Sequence, residues 1–184
     1  MEKKDFSRSA IEANLAKMGD YVKIDYLTRA LKQGLDIETK KIVMLKLAAI
    51  YDERRMPLEG AKLMRNVAEL EATDNSRTNV FLKSAEMYVK ANAFIEADIS
   101  FSKAGINTND AQKEQIKAKR RELYLAQAKL LVKKERRAQA IKVYEKLVTM
   151  NFSPIEKKEI QQQLLDLYEK LGKMNDYFAL KKGM

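Results

Sequence analysis

Residues 85–104 read AEMYVKANAFIEADISFSKA, and this stretch decides the fold. Counted from its first residue, it places a small residue, a tyrosine, a small residue, an aromatic residue and a small residue at offsets 0, 3, 12, 16 and 19: Ala85, Tyr88, Ala97, Phe101 and Ala104. Two helices joined by a short connection would bring these residues to one interface. Small side chains let the two helix axes approach to the short end of the roughly 8–10 Å range, and the aromatic residues fill the space beside them. The stretch therefore predicts a helical hairpin.

The same offsets recur on both sides of this hairpin. The later segment has Ala128, Leu131, Ala140, Tyr144 and Leu147, and the earlier one has Ala48, Tyr51, Ala61 and Ala68 with one extra residue between its helices. Farther out the pattern weakens to Leu165, Tyr168 and Tyr177 at the C-terminal end and to Leu15, Ile24 and Leu31 at the N-terminal end. Weak ends are expected of a repeat array, because its terminal units face water on one side.

One position of the second helix marks the period of the repeat: Ile24, Ala61, Ala97, Ala140 and Tyr177, at spacings of 37, 36, 43 and 37 residues. With these motifs the chain resembles the tetratricopeptide repeat (TPR) family, whose usual period is about 34 residues, and broader TPR-like helical-hairpin solenoids. The resemblance implies an all-α fold, an α-α superhelix of about five antiparallel hairpins and about ten helices in a right-handed stack. We expect one TPR-like domain over residues 1–184, with hairpins at 5–33, 37–72, 76–105, 108–150 and 153–182.

Composition and local signals agree with helices. The chain has only 6 Gly and 2 Pro, which argues against an all-β fold. The clearest helix start is a capping box at Ser153 and Glu156 with Pro154 at the first helical position. Polar clusters at residues 74–76 and 105–108 predict two further N-caps.

The missing residue types narrow the function. The chain has no Cys and no His, which removes disulfides, thiolate metal sites, the commonest metal ligand and the commonest general base. We therefore predict a non-enzymatic protein with no cofactor and no metal. There is no apolar run of about 18 residues, and residues 1–6 lack the apolar core of a signal peptide, so we expect a cytoplasmic protein without a membrane span.

The TPR resemblance implies a partner groove lined by the first helix of each hairpin. The candidates are Ser9, Ala13, Ile42, Leu45, Ala49, Asn79, Leu82, Glu86, Glu122, Leu125, Lys129, Gln162 and Asp166. TPR proteins that hold a C-terminal carboxylate need Lys where this chain has Leu45, Leu82 and Leu125, so that mode is disfavoured. An apolar groove suits an amphipathic helix or an extended apolar peptide. The alternative, in which these leucines pack between hairpins, stays open.

Basic residues concentrate where the repeat is stretched to 43 residues. Residues 113–146 contain 12 basic and 4 acidic residues, a net charge of +8 out of +10 for the whole chain. The surface candidates are Lys113, Lys117, Lys119, Arg120, Arg121, Lys133, Lys134, Arg136 and Arg137. Residues 110–119 contain little apolar surface besides Ile116, which predicts a solvated helix start. The region is either an ordinary solvated face or an electrostatic footprint for RNA, DNA or an acidic protein.

These observations favour a protein-interaction adaptor or scaffold that binds a peptide or helix of a protein partner in its groove. The alternative is a nucleic-acid-associated or ribosome-associated accessory factor that uses the basic surface of residues 113–146. A homo-oligomer is compatible with either function, and the sequence does not identify the partner.

Overall fold

The computed structural model describes residues 7–184, and over this range the chain is all-helical, with ten helices and no strand. The helices are α1 (Arg8–Leu15), α2 (Asp20–Ala30), α3 (Ile37–Glu53), α4 (Pro57–Glu69), α5 (Asp74–Lys90), α6 (Phe94–Ala104), α7 (Asp110–Lys133), α8 (Arg137–Val148), α9 (Pro154–Lys170) and α10 (Met174–Lys182). They match the five predicted hairpins to within a few residues, which confirms the all-α fold. The predicted start of the first hairpin at residue 5 lies outside the described residues.

The helices form two compact units, Met1–Lys113 and Glu114–Met184, with the boundary inside α7. In the first unit each helix from α2 to α5 packs on the next along the chain. In the second unit α8 packs on α9, and α9 packs on α10. Connections of only a few residues place consecutive helices side by side, so the helices of these pairs bury apolar faces against one another. The single domain over residues 1–184 stays a prediction.

The residues of the repeat pattern form the core. In the three central hairpins nearly all of them are at most 4% exposed: Ala48, Ala61, Ala68, Ala85, Tyr88, Ala97, Phe101, Ala104, Ala128, Leu131, Ala140, Tyr144 and Leu147. Tyr51 is half-buried. At the weaker ends Leu165 and Tyr168 are also buried, whereas Leu15, Ile24, Leu31 and Tyr177 are half-buried. The three strongest units of the sequence are thus the best packed.

Four of the five hairpins turn in the same way. Each of the four connections contains one residue with positive φ: Arg55 (59°), Asn92 (59°), Glu135 (55°) and Gly172 (66°). The next residue donates its backbone N–H to a carbonyl five residues earlier: Met56 to Tyr51, Ala93 to Tyr88, Arg136 to Leu131 and Lys173 to Tyr168, at 2.8–2.9 Å. This is the Schellman arrangement, which satisfies a free carbonyl at the helix end. The second helix starts immediately afterwards.

Close helix approach in the first unit depends on small residues and hydrogen bonds. Ser84 on α5 is fully buried and donates from Oγ to the carbonyl oxygen of Ala61 on α4, at 2.9 Å. Thr78 Oγ1 donates to the carbonyl oxygen of Ala104 on α6, at 3.0 Å. A Cβ atom at Gly60 would lie 2.3 Å from the Met87 terminal methyl group. The packing therefore leaves no room for a larger residue at position 60 unless Met87 moves.

The helix starts were predicted with mixed success. The capping box of Ser153 and Glu156 is present, with Pro154 at the start of α9. The cluster at residues 74–76 does not cap α5, because Thr73 accepts the Ser76 N–H instead. The N-cap predicted at residues 105–108 was also wrong, because Asn109 and Gln112 form the reciprocal capping bonds of α7. The Gln112 N–H donates to Asn109 Oδ1 at 2.8 Å, and the Asn109 N–H donates to Gln112 Oε1 at 3.0 Å.

Candidate functional site

The groove candidates of the first unit lie along α3 and α5. A cleft of about 310 Å³ is lined by Leu45, Ala48, Ala49, Asp52, Glu53, Met64, Lys83 and Met87. It therefore brings together two candidates, Leu45 and Ala49, with side chains of α4 and α5. Leu45 is 39% exposed although it is a leucine in the middle of a helix. Ile42 and Leu82 are half-buried, and Asn79 is exposed, but none of these three lines the cleft.

An ion-pair network borders this cleft. Lys90 Nζ lies 3.0 Å from Glu86 Oε1 and 4.0 Å from Asp52 Oδ2, and Lys83 Nζ lies 3.5 Å from Glu86 Oε2. Burial raises the pKa of the Glu86 carboxyl, but the hydrogen bond and charge of Lys90, together with Lys83, hold that pKa below its ordinary value. Glu86 is thus an ionised residue that pairs with Lys83, which lines the cleft, and with Lys90.

The second unit contains a larger apolar cleft. It has a volume of about 540 Å³ and is lined by Leu125 and Lys129 of α7, Tyr144 of α8, Phe152, and Glu156, Glu159, Ile160, Gln162 and Gln163 of α9. Three of these residues, Leu125, Lys129 and Gln162, are groove candidates predicted from the sequence. Leu125 and Phe152 are half-buried, whereas Ile160 and Tyr144 are buried beneath them. The cleft therefore has an apolar floor that is partly open to solvent.

Charged residues surround this apolar floor with both signs. Lys129 is exposed on one side, and Glu156 and Glu159 are exposed on the other. Burial raises the pKa of the Tyr144 phenol further above its ordinary value. The arrangement offers apolar contact in the centre and charge contacts at the edges, as small binding clefts usually do.

Two other candidates of the second unit lie beside this cleft. Glu122 is exposed and pairs with Lys119, whose Nζ lies 3.0 Å from Glu122 Oε1. Asp166 is half-buried and accepts a 2.9 Å hydrogen bond from Gln162 Nε2. On α1, Ser9 and Ala13 are exposed, and neither lines the cleft of the first unit.

Sequence reasoning missed Phe152. This residue lies in the connection between α8 and α9, and Arg121 Cζ lies 5.9 Å from the centroid of its ring. The available signal was an aromatic residue next to the helix start at Ser153, among polar neighbours. Glu156 was predicted only as a helix cap, yet it also lines the cleft.

Seven of the nine basic surface candidates are exposed, and four of these seven are paired with carboxylates. Several stand beside carboxylates on their own segment: Lys113 with Asp110 (3.4 Å), Lys117 with Glu114 (2.7 Å), Lys119 with Glu122 (3.0 Å) and Arg137 with Glu135 (3.7 Å). Lys133, Lys134 and Arg136 are exposed. Pairs of this kind between exposed groups contribute little to stability, and they exchange readily with other anions.

A second cleft of about 330 Å³ gathers part of the basic surface. It is lined by Glu114, Lys117, Arg120 and Arg121 of α7 and by Thr149, Met150 and Asn151 after α8. Among residues 110–119 Ile116 is buried and Gln112 is half-buried, and the other eight residues are exposed. The predicted solvated character of the α7 start is therefore confirmed except at Ile116.

Comparisons of this chain with protein-family models, with curated proteins and with solved structures give no match. Within residues 7–184 no cluster of three or more potential metal-ligating side chains occurs. None of the helices described is both long enough and apolar enough to cross a membrane. The observations that bear on function are the clefts at Leu45 and Leu125, the basic cleft, and a further apolar cleft of about 550 Å³ lined by Ile95, Asp98, Ile99, Ser102, Lys103 and Ile106.

Proposed function

We propose that this protein is a non-enzymatic, TPR-like adaptor that binds an amphipathic helix or an apolar peptide of a protein partner. The observation that carries the proposal is the 540 Å³ cleft of the second unit, where Leu125 and Phe152 are partly exposed between charged residues of both signs. Apolar anchors at helical spacing can enter such a floor while the edges select charge. The cleft between α3 and α5 in the first unit has the same character at Leu45 and Ala49.

The TPR-like part of the proposal rests on two features. One is the set of small and aromatic residues at fixed offsets in three hairpins. The other is the common connection of four hairpins, which begins at the same repeat position each time: Tyr51, Tyr88, Leu131 and Tyr168. A repeat array exposes its first helices as one type of surface, and the clefts at Leu45 and at Leu125 both include residues of first helices.

A peptide selection tests the adaptor proposal. A phage-displayed library is selected on the full-length protein, and the enriched peptides are synthesised with a fluorophore for anisotropy measurements. We expect peptides with apolar residues three and four positions apart, and we expect Leu125→Glu to weaken their binding at least tenfold. The matched control is Leu130→Glu, the same exchange on the same helix at a residue that is 41% exposed and does not line the cleft.

A second variant covers the case in which Leu125→Glu unfolds. Lys129 is exposed at the edge of the cleft, so Lys129→Glu removes a charge contact without disturbing the core. We expect it to change the preference of selected peptides for acidic flanking residues. Peptides that bind native protein, Leu130→Glu and Lys129→Glu alike would show that the cleft is not the binding site.

A second candidate function is favoured by the distribution of charge. Residues 114–184 contain 17 basic and 9 acidic residues, a net charge of +8, whereas residues 1–113 contain 19 and 17, a net charge of +2. An asymmetry of this size attracts polyanions at long range. It supports an accessory factor associated with nucleic acid or with ribosomes. Strong salt dependence of RNA binding would support this candidate, and binding of the selected peptides should change little with salt.

A further inference from the structure

The polar cleft of the second unit concentrates positive charge at one place. Lys117, Arg120 and Arg121 occur three and four residues apart, so they lie on one face of α7, and all three line the 330 Å³ cleft. The opposite wall is the connection after α8, where Asn151 supplies an amide. Thr149 also lines the cleft, but its hydroxyl donates to the carbonyl oxygen of Lys146, at 2.7 Å.

The two arginines are held beside aromatic rings. Arg121 Cζ lies 5.9 Å from the ring centroid of Phe152, and Arg120 Cζ lies 5.9 Å from that of Tyr124. Both arginines are half-buried, whereas most lysines of this region are exposed. A guanidinium group against a ring is attracted to the ring face and loses less conformational freedom when it binds an anion. The cleft is thus partly preorganised for an anionic group.

The acidic residues near the cleft do not cancel this charge. Glu114 lines the cleft and pairs with Lys117 at 2.7 Å, but both side chains are more than 60% exposed. An exposed pair of this type is weak and is easily replaced. Glu156 is near enough to Arg121 for the arginine charge to contribute to the lowered pKa of its carboxyl, and Glu156 lines the apolar cleft instead. The polar cleft therefore holds three cations and one carboxylate.

We propose that this cleft binds the phosphodiester backbone of a nucleic acid, with Arg120 and Arg121 on phosphate oxygens and Lys117 on a neighbouring phosphate. The planar donors of arginine match phosphate oxygens in pairs, and backbone contacts need no apolar anchor. An acidic peptide would gain charge contacts but few apolar ones, because the only apolar side chain that lines the cleft is Met150, and buried apolar and aromatic anchors supply much of the energy in protein interfaces. The inference rests on the second candidate function and is independent of the apolar groove.

The spacing of Lys117 and Arg121 along α7 matches the spacing of phosphates along a nucleic-acid strand. Four residues of helix rise by about 6 Å, so the Lys117 and Arg121 positions are separated by a distance similar to that between successive phosphates of one strand. The remaining positive charge of the second unit would contribute attraction at longer range. Base stacking beside Arg120 is not expected, because Tyr124, the aromatic residue there, is fully buried.

Fluorescence anisotropy with salt titration tests the site. The probes are a labelled oligouridylate, a labelled oligodeoxythymidylate and labelled polyglutamate, each titrated with full-length protein. The cleft variant carries Lys117→Gln, Arg120→Gln and Arg121→Gln. The matched control carries Lys133→Gln, Arg136→Gln and Arg137→Gln, which removes the same residue types from exposed positions of the same unit. Thermal melts followed by circular dichroism establish that both variants are folded.

We expect the native protein to bind both oligonucleotides more tightly than polyglutamate. Each phosphate contact contributes about 0.7 to the slope of log affinity against log salt concentration for a single strand. Since the cleft variant removes three contacts, it should lower this slope by about 2, and the control should lower it by less than half of that. Tighter binding of RNA than of DNA would identify RNA as the source of the phosphates, and equal binding would identify the backbone alone. Both results support the site.

Three results would overturn the proposal. Equal loss of slope in both variants would mean that the cleft has no special role, although nucleic-acid binding itself would stand. Tighter binding of polyglutamate would assign the cleft to an acidic protein. No binding of either oligonucleotide by native protein would remove the second candidate function together with its site. If the cleft variant unfolds, the single exchange Lys117→Glu, compared with Lys133→Glu at the same salt concentrations, decides between the same outcomes.

Discussion

The backbone N–H of Ala93 donates a 2.9 Å hydrogen bond to the carbonyl oxygen of Tyr88, across the left-handed residue Asn92. Tyr88 is one of the residues that define the sequence repeat, so the repeat pattern and the backbone turn share one register. The same bond recurs in three other hairpins, two of which lie in the second unit. A hairpin type that is repeated in both units is the strongest structural sign of internal repetition in this chain.

Glycine at the left-handed position between α7 and α8 should stabilise the protein. Glu135 has φ 55°, a conformation that costs a residue with a Cβ atom about 1–2 kcal/mol. The greater freedom of glycine in the unfolded chain offsets about 0.4–1 kcal/mol of the gain. Glu135→Gly is therefore expected to raise the free energy of unfolding by roughly 0.5 kcal/mol, measured by urea denaturation with circular dichroism. Its exposed ion pair with Arg137, at 3.7 Å, contributes little.

Two reference variants bracket this effect. Gly172→Ala puts a Cβ atom at φ 66° and should lower the free energy of unfolding by roughly 0.5 kcal/mol, since alanine also restricts the unfolded chain. Lys133→Gly introduces glycine into the right-handed last turn of α7 and should also lower it by about 1 kcal/mol. A decrease for Glu135→Gly as large as that for Lys133→Gly would contradict the left-handed connection.

The buried hydroxyl of Ser84 should contribute measurably to the first unit. Its Oγ donates to the Ala61 carbonyl and lies 3.5 Å from Ser100 Oγ, and all three residues are fully buried. Ser84→Ala removes one net hydrogen bond at nearly constant volume, so we expect the free energy of unfolding to fall by about 1 kcal/mol. The exposed Ser102→Ala on α6 is the control and should be neutral or slightly stabilising, because alanine favours helices. Equal effects of the two exchanges would show that the Ser84 bond is not formed.

Tyr168 and Glu145 should be energetically coupled. Tyr168 OH donates to Glu145 Oε1 at 2.8 Å, and burial, followed by this hydrogen bond and the carboxylate charge, raises the pKa of the phenol. Tyr168→Phe should lower the free energy of unfolding by about 1 kcal/mol, since Glu145 remains exposed and can bind water instead. A double-mutant cycle with Glu145→Ala measures the coupling, which should be roughly 0.5–1 kcal/mol. Strictly additive effects would mean that the pair does not interact in solution.

The fold was predictable because its signals are periodic and redundant. Ala85, Tyr88, Ala97 and Phe101 each specify the same hairpin, so errors at one position are corrected by the others. Helix starts were less predictable: residues 73–76 contain four side chains that can cap a helix, and local sequence does not rank them. Thr73 is the cap because α5 begins at Asp74, two residues before the predicted start of this hairpin at residue 76.

The candidate site was predictable only where it lies on helices. Leu125, Lys129 and Gln162 were located by repeat register, and they line one cleft. Phe152, Asn151 and Met150 were not, because residues of a connection have no period and are placed by the helices on either side. The basic cleft was foreseen as a charged stretch of α7, but its second wall was not.

The contribution of Glu156, which lines the apolar cleft, to the stability of the protein should fall at low pH. The pKa of the Glu156 carboxyl lies below its ordinary value of 4.5. The hydrogen bond from the Ser153 hydroxyl lowers it most, the bond from the Ser153 backbone N–H comes next, and the charge of Arg121 also lowers it. Burial acts in the opposite direction but does not outweigh them. The unfolded chain therefore takes up this proton first as the pH falls. The stabilisation is complete above the unfolded pKa and is lost as the pH falls through the folded pKa.

Glu156→Gln isolates this contribution. At about pH 7 the native protein should melt at a higher temperature than Glu156→Gln, because the ionised carboxylate accepts stronger hydrogen bonds from Ser153 than an amide does. At about pH 2 the native carboxyl is protonated, so the difference in melting temperature should close. Ser153→Ala removes the largest cause of the lowered pKa. In a protein that carries Ser153→Ala, the further exchange Glu156→Gln should therefore change the melting temperature less, both at about pH 7 and at about pH 2. A difference between native protein and Glu156→Gln that is equally large at both pH values would show that the ionised form of Glu156 does not stabilise the start of α9.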